Sequence, residues 1–185
     1  MQPRLYLDIE IKGPNQPLAA AAVLRALHGA FRNAPGRYAL ALPCYPRSAF
    51  RLLRIFGGNG DDLITLREHL LAVPDFDKHM TAHSPRPIPA GFDGPWYSYR
   101  RYRIPTRSAE RHPDGNLRAR RMQQADEAGY PYFNLHSRSN GQTFGLYIQR
   151  LDANSGDRCQ PDSYGLASAS RPFALPHLPA PWEST

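Results

Sequence analysis

Residues 5–11 read LYLDIEI, and the way the chain continues from them decides the fold. Leu5, Leu7, Ile9 and Ile11 alternate with Tyr6, Asp8 and Glu10, the period of a strand with one covered face and one wet face. GPNQP (13–17) then breaks the chain, and LAAAAVLRALHGAFRN (18–33) follows. In that run Ala20, Val23, Leu24, Leu27 and Phe31 fall on one stripe of a helix, which Ala-Pro-Gly ends. Tyr38, Leu40 and Leu42 alternate again, and RLLRIF (51–56) gives a third strand. Asn59-Gly60-Asp61-Asp62 supplies the cap and first-turn acids of a helix over 63–72, and 75–84 is expected to form a fourth strand. The order β-α-β-β-α-β is the ferredoxin-like arrangement, which recurs among RNA-binding modules.

Working outward, PRPIPAGFDGP (85–95) reads as a linker by composition. WYSYRRYR (96–103) alternates aromatic and basic residues like a strand, and an arginine-bearing helix is expected over roughly 108–128. Phe133–Ser137 and Thr143–Leu151 form two strands around the turn Ser139-Asn140-Gly141-Gln142. Ser163–Ser168 is expected as a short strand before a proline-rich tail. The chain as a whole therefore reads as α+β. A ferredoxin-like (RRM-like) domain over 1–92 precedes a smaller α/β domain over 93–185 that carries the Arg-rich helix and a β-hairpin.

Composition narrows the function. The 185 residues carry a net charge of +7, and 21 of the 23 basic side chains are arginine; the two lysines are Lys12 and Lys78. Arginine offers a planar fork that grips phosphate and stacks on bases. The excess is regional, net +3 over 1–95, +6 over 96–150 and −2 over 151–185. Eight arginines lie between 100 and 121, the footprint expected of a nucleic-acid contact, whereas the scattered arginines of the first half read as compositional. The longest apolar run, LAAAAVL (18–24), is far short of the ~20 residues of a membrane span, so no membrane partner is expected. The N-terminus has charges inside its apolar stretch, unlike a secretory signal, and Cys44 and Cys159 form neither a disulfide framework nor a zinc cluster. A cytoplasmic setting is expected.

Among the candidate chemical groups, His28 sits at the edge of the apolar helix stripe, half sheltered. Histidine is the side chain that most readily takes and returns a proton near neutrality, and such a base could deprotonate an RNA 2′-OH; the plain alternative is a boundary histidine of the core. Arg118 and Arg121 are helical neighbours with Arg111 two turns earlier, a fan able to reach phosphates across one groove, or else a solvated face. The major groove of A-form RNA admits a helix only near the end of a short stem, so a hairpin is a better target than a long duplex. His79 and His83 have i,i+4 spacing without a nearby third ligand, and no metal or other cofactor is expected. Ser137 and Ser139 lack the context of a nucleophile elbow, which argues against a triad hydrolase.

Several motifs stand in one order: LYLDIEI (5–11), His28 in ALHGAF, SRSNGQTF (137–144) with LYIQR after it, and Tyr164-Gly-Leu in SYGLAS. This set resembles the type I-F CRISPR repeat-processing endoribonucleases, over about residues 5–168. The resemblance implies that His28 is the catalytic histidine, that Ser137 holds the 2′-OH with Ser139 as its neighbour, and that Tyr164 orients the histidine. It implies that Phe144 stacks under the closing base pair, that Arg101 and Arg103 read the base of the stem, and that Arg118, Arg120 and Arg121 enter its groove. Arg107, Arg111 and Gln142 join these as RNA-binding candidates. The family cuts at the 3′ base of the repeat hairpin without metal. It then stays on the 3′ end as a subunit of a surveillance complex, beside backbone and large and small tail subunits, and meets target DNA only through that complex. The chain departs from the family pattern where HPDGN (112–116) interrupts the Arg-rich helix, where Arg103 replaces a glutamine, and where His136 replaces a basic residue beside Ser137. A different class of function, a subunit that binds the guide-RNA hairpin without cutting it, is the alternative.

Overall fold

The computed structural model describes residues 1–105, 116–136, 141–156 and 158–183. Strand β1 covers Leu5–Ile11, helix α1 Gln16–Asn33, β2 Tyr38–Ala41, β3 Leu52–Gly57 and helix α2 Gly60–Leu71. A single turn, α3 (Phe76–His79), leads into β4 (Met80–Ala82). The strands lie in the order β2-β3-β1-β4, with β1 antiparallel to both β3 and β4, which is the ferredoxin-like sheet. Helix α1 opens with Pro17 in its first turn, where a missing N–H costs nothing, and buries Ala20, Val23, Leu24, Leu27 and Phe31 as its spacing predicts. Helix α2 starts three residues earlier than expected. The Asn59 side chain accepts the Asp61 N–H, and Asp61 and Asp62 lie within the first turn, against the positive end of the helix dipole.

The remaining strands are β5 (Arg86–Pro87), β6 (Trp96–Tyr102), β7 (Tyr132–His136), β8 (Thr143–Ala153) and β9 (Leu175–Pro176), with helix α4 at Leu117–Glu127. The order β7-β8-β6-β9 makes a second antiparallel sheet, and β7 and β8 form the expected hairpin, with Leu135 opposite Phe144. The part of the Arg-rich helix expected over 108–115 lies outside the described residues.

Four expectations fail for physical reasons. Asp75 takes a left-handed φ of 60° and Phe76 buries its ring, so 75–79 turns instead of extending, and only Met80–Ala82 is strand. The supposed linker contributes β5, which pairs with β1 at a sheet position where Pro87 has no N–H to waste. Residues 163–168 form a tight turn with an isolated bridge from Ala167 to Arg100. Most consequentially, the polar face of β1 is not wet. Asp8 and Arg54, opposite one another on β1 and β3, are both 1% exposed, because the tail folds over them. Arg54 donates from Nε and Nη2 to the two Asp8 carboxylate oxygens (2.7 and 2.9 Å), and from Nη1 and Nη2 to the carbonyls of Leu178 and Pro179 (2.6 and 3.0 Å). This first-half arginine is therefore a core group with all three guanidinium nitrogens bonded and not a compositional passenger, and the proline-rich tail is a lid with Phe173, Leu175, Leu178 and Ala180 buried.

One apolar core runs through both sheets. Helix α1 packs on β7 as well as on its own sheet, Phe50 meets Phe133 edge to face at 5.1 Å, and the Tyr99 hydroxyl donates to the Leu42 carbonyl. Each such side chain removed from water contributes roughly 1.5–3 kcal/mol. The arrangement leaves the last turns of α1 beside the second sheet.

Candidate functional site

His28 lies on α1 between the buried Leu27 and Phe31, itself half-buried. Its Nδ1 is 2.7 Å from the Ser163 carbonyl oxygen. A carbonyl can only accept, so Nδ1 carries the proton, and the neutral ring keeps its lone pair on Nε2. The imidazole stacks on the Tyr164 ring with centroids 4.1 Å apart and planes 9° from parallel. Burial pushes the Tyr164 phenol above its ordinary range; the Arg101 charge draws it back in part, while Asp162 adds to the rise. At neutral pH Tyr164 is therefore an uncharged platform for the histidine.

The turn that carries Ser163 and Tyr164 is held tightly. Asp162 Oδ1 accepts the N–H groups of Tyr164 (2.8 Å) and Leu166 (3.0 Å), and the Asp162 N–H donates to the Leu166 carbonyl (2.9 Å). Gly165 has φ +77°, and its carbonyl accepts the Leu40 N–H of β2 at 2.8 Å. A Cβ there would lie 2.9 Å from the Leu40 nitrogen and 2.8 Å from the Phe31 ring, so only glycine lets the turn seat against α1 and β2.

Arg101 follows Tyr99 by two residues on β6 and so projects to the same face, toward the first sheet. Its guanidinium lies 5.8 Å from the centre of the Phe144 ring, and its charge also reaches Tyr164. His28, Tyr164, Arg101 and Phe144 thus meet on one side of the second sheet. Around the edge opens a cleft of about 670 Å³, lined by Arg101, Arg118, Met122, Tyr132, Gln142 and Phe144 among others. Arg118 reaches across it, Nη1 donating to the Pro105 carbonyl at 2.7 Å, so this arginine also anchors the chain leaving β6. Arg121 lies over the Tyr102 ring at 5.2 Å, and the Tyr102 hydroxyl donates to Gln124. Arg103 and Arg120 are exposed, and Gln142 is exposed at the mouth of the hairpin. The wall beside α4 is the stacked pair Tyr132–Tyr147, 4.8 Å apart, folded over Gly145.

Ser137, Ser139, Arg107 and Arg111 lie outside the described residues. His136 meets only the Thr143 hydroxyl, at 3.4 Å, among the described residues. The His79–His83 pair does not share a helix: His79 ends α3, whereas His83 follows β4 and faces Glu10 at 3.7 Å. Sequence reasoning missed Asp162, Gly165 and the Tyr132–Tyr147 wall. For Asp162 a signal existed, since Asp two residues before a turn position commonly caps backbone N–H groups. The tyrosines gave none beyond strand alternation.

Fold and site together define a ferredoxin-like α+β protein that gathers arginine and aromatic side chains next to a histidine with one proton-accepting nitrogen. That combination suits the binding of a phosphate backbone and proton movement beside it. Residues 6–177 match the family described as CRISPR-associated protein (Cas_Csy4). The chain belongs to this family of CRISPR repeat endoribonucleases, and its nucleic-acid partner is CRISPR repeat RNA. No curated protein sequence matches the chain. No helix among the described residues is long and apolar enough to cross a membrane.

Proposed function

We propose that the protein cuts CRISPR repeat RNA at the 3′ base of its stem-loop by metal-independent transesterification. His28 Nε2 takes the proton of the 2′-OH at the cleavage site, and the 2′ oxygen attacks the adjoining phosphorus. The bond from phosphorus to the 5′ oxygen breaks, that oxygen takes up a proton, and the products are a 2′,3′-cyclic phosphate and a 5′-OH end. The observation that carries this reading is the pairing of His28 Nδ1 with the Ser163 carbonyl over the Tyr164 ring, which leaves Nε2 as a base of defined direction. Ser137 holds the 2′-OH in line, Ser139 supports it, and Tyr164 keeps the imidazole plane, so that much of the rate comes from orientation. Arg101 and Arg103 read the base of the stem, Phe144 stacks under its closing pair, and Gln142 borders the same mouth. Arg118, Arg120 and Arg121, with Arg107 and Arg111, meet the groove phosphates. The protein then remains on the 3′ hairpin as a subunit of the type I-F surveillance complex, in the cytoplasm, beside its backbone and tail subunits, and meets target DNA only through that assembly.

The test is single-turnover cleavage of the cognate hairpin in EDTA. His28→Ala is expected to abolish cutting while keeping tight hairpin binding. A variant that still cuts at the parent rate overturns the mechanism, and a parent protein that binds without cutting makes it a capping subunit.

A further inference from the structure

We infer that Asp162 is a positioning residue for this reaction: its carboxylate orients the Ser163–Tyr164 peptide and so decides which nitrogen of His28 carries the proton. The inference rests on the role proposed for His28. The Ser163 carbonyl and the Tyr164 N–H belong to one peptide unit, and in a trans peptide these two groups point in opposite directions. Asp162 Oδ1 takes the N–H at 2.8 Å at one edge of that unit, and His28 Nδ1 meets the carbonyl at 2.7 Å at the opposite edge. Pinning the N–H therefore aims the carbonyl. The same carboxylate oxygen holds the Leu166 N–H, so the plane is fixed from a turn that Gly165 has already locked to Leu40.

The consequence reaches the histidine through geometry alone, since no Asp162 atom bonds the ring among the described contacts. With the carboxylate gone, the 163–164 plane is free to rotate, Nδ1–H loses its aligned acceptor, and both neutral tautomers populate. In the wrong tautomer Nε2 carries the proton and accepts none. A carboxylate is not required for this work: an amide oxygen accepts two N–H groups equally well in geometry, a serine hydroxyl less well, and a methyl group not at all.

The experiment compares the full-length parent with Asp162→Asn, Asp162→Ser and Asp162→Ala. Ring-nitrogen NMR of neutral His28 reads the tautomer, and single-turnover cleavage and hairpin affinity are measured on the same samples. The parent and Asp162→Asn are expected to show Nδ1–H and similar rates. Asp162→Ala is expected to show mixed tautomers and cleavage slowed about 10- to 100-fold, by analogy with the loss of orienting partners at metal-bound histidines. Hairpin affinity is expected to stay unchanged, and Asp162→Ser to fall between. Should the alanine variant fail to fold, the order parent, Asn, Ser still tests the acceptor argument. Nδ1–H retained in Asp162→Ala at the parent rate overturns the inference, as does an asparagine variant as slow as serine. If His28→Ala cuts normally, the role of His28 fails instead, while the tautomer measurement still reports on Asp162.

Discussion

Arg54 and Arg101 occupy similar places, each projecting from a strand that has neighbours on both sides, yet they do opposite things. Arg54 is sealed beneath the tail with every nitrogen of its fork bonded, to Asp8 and to two carbonyls. Arg101 is exposed at the mouth of a cleft, beside an aromatic ring and near the histidine. The difference is made by what lies over each strand: over β3 the C-terminal segment, and at the end of β6 open space. A guanidinium whose three nitrogens all bond inside the protein holds the fold together. One that faces solvent keeps its donors for a ligand.

The sharpest way to break that contrast is to remove each arginine. Arg54→Ala leaves the Asp8 carboxylate buried beside two carbonyls that lose their donors, and should cost about 3–5 kcal/mol of stability by urea denaturation. Arg101→Ala should shift stability by only about 0.5 kcal/mol or less, while weakening hairpin binding. Equal losses of stability in the two variants would erase the distinction.

Gly165→Ala comes next. The left-handed backbone is worth about 1–3 kcal/mol of strain, and the backbone nitrogen of Leu40 at 2.9 Å cannot move aside as a flexible side chain could. We expect a lowered Tm together with slower cleavage, because the turn that seats His28 shifts with it. Normal cleavage in a destabilised variant would show that the turn and the histidine are not coupled.

A smaller effect separates the arginines of α4 from one another. Arg120 is exposed, whereas Arg118 donates to Pro105 and Arg121 rests on Tyr102. Arg120→Ala should therefore reduce the salt dependence of hairpin binding by one phosphate contact, ~0.7–0.9 log units per log unit of salt, with stability unchanged. Arg118→Ala should change both, through the anchor it makes at the end of β6. An unchanged slope in Arg120→Ala would place the groove contact elsewhere.

The first half of the fold was legible because each strand and helix advertises itself by period: LYLDIEI at two, and Val23, Leu24, Leu27 and Phe31 at helical spacing. What local pattern does not carry is the long-range cover. The alternation Tyr6-Asp8-Glu10 is what a wet face looks like, and nothing near residue 8 announces that residues 178 and 179 will close over it. The candidate site divides the same way. His28 was readable from its place at the edge of an apolar stripe, and Tyr164 and Phe144 from motif order. The peptide that fixes the imidazole belongs to a turn 135 residues away, which a strand reading of 163–168 had concealed.

The smallest expected effect probes the sealed region from its edge. His177 belongs to the tail itself, half-buried, with its ring edge-on to Tyr97 of β6 at 5.2 Å. Burial holds its pKa below the ordinary value, Arg150 and Arg54 lower it further, and Glu183 opposes them. In the unfolded chain the imidazole takes up its proton near about pH 6.5, whereas in the folded protein it does so only at lower pH. Below about pH 6.5 the unfolded state therefore binds more protons, and stability falls with pH until the folded-state pKa is passed. His177→Gln, which keeps the volume and cannot titrate, should flatten this part of the curve, read as a smaller loss of Tm on acidification from about pH 7 to 5. The effect is small because the ring is only half sheltered, and its sign is set first by that burial, which Arg150 and Arg54 reinforce. A variant with the parent's full acid sensitivity would mean that His177 takes up its proton alike in the folded and unfolded chains, so that neither its burial nor the nearby arginines set the acid limb.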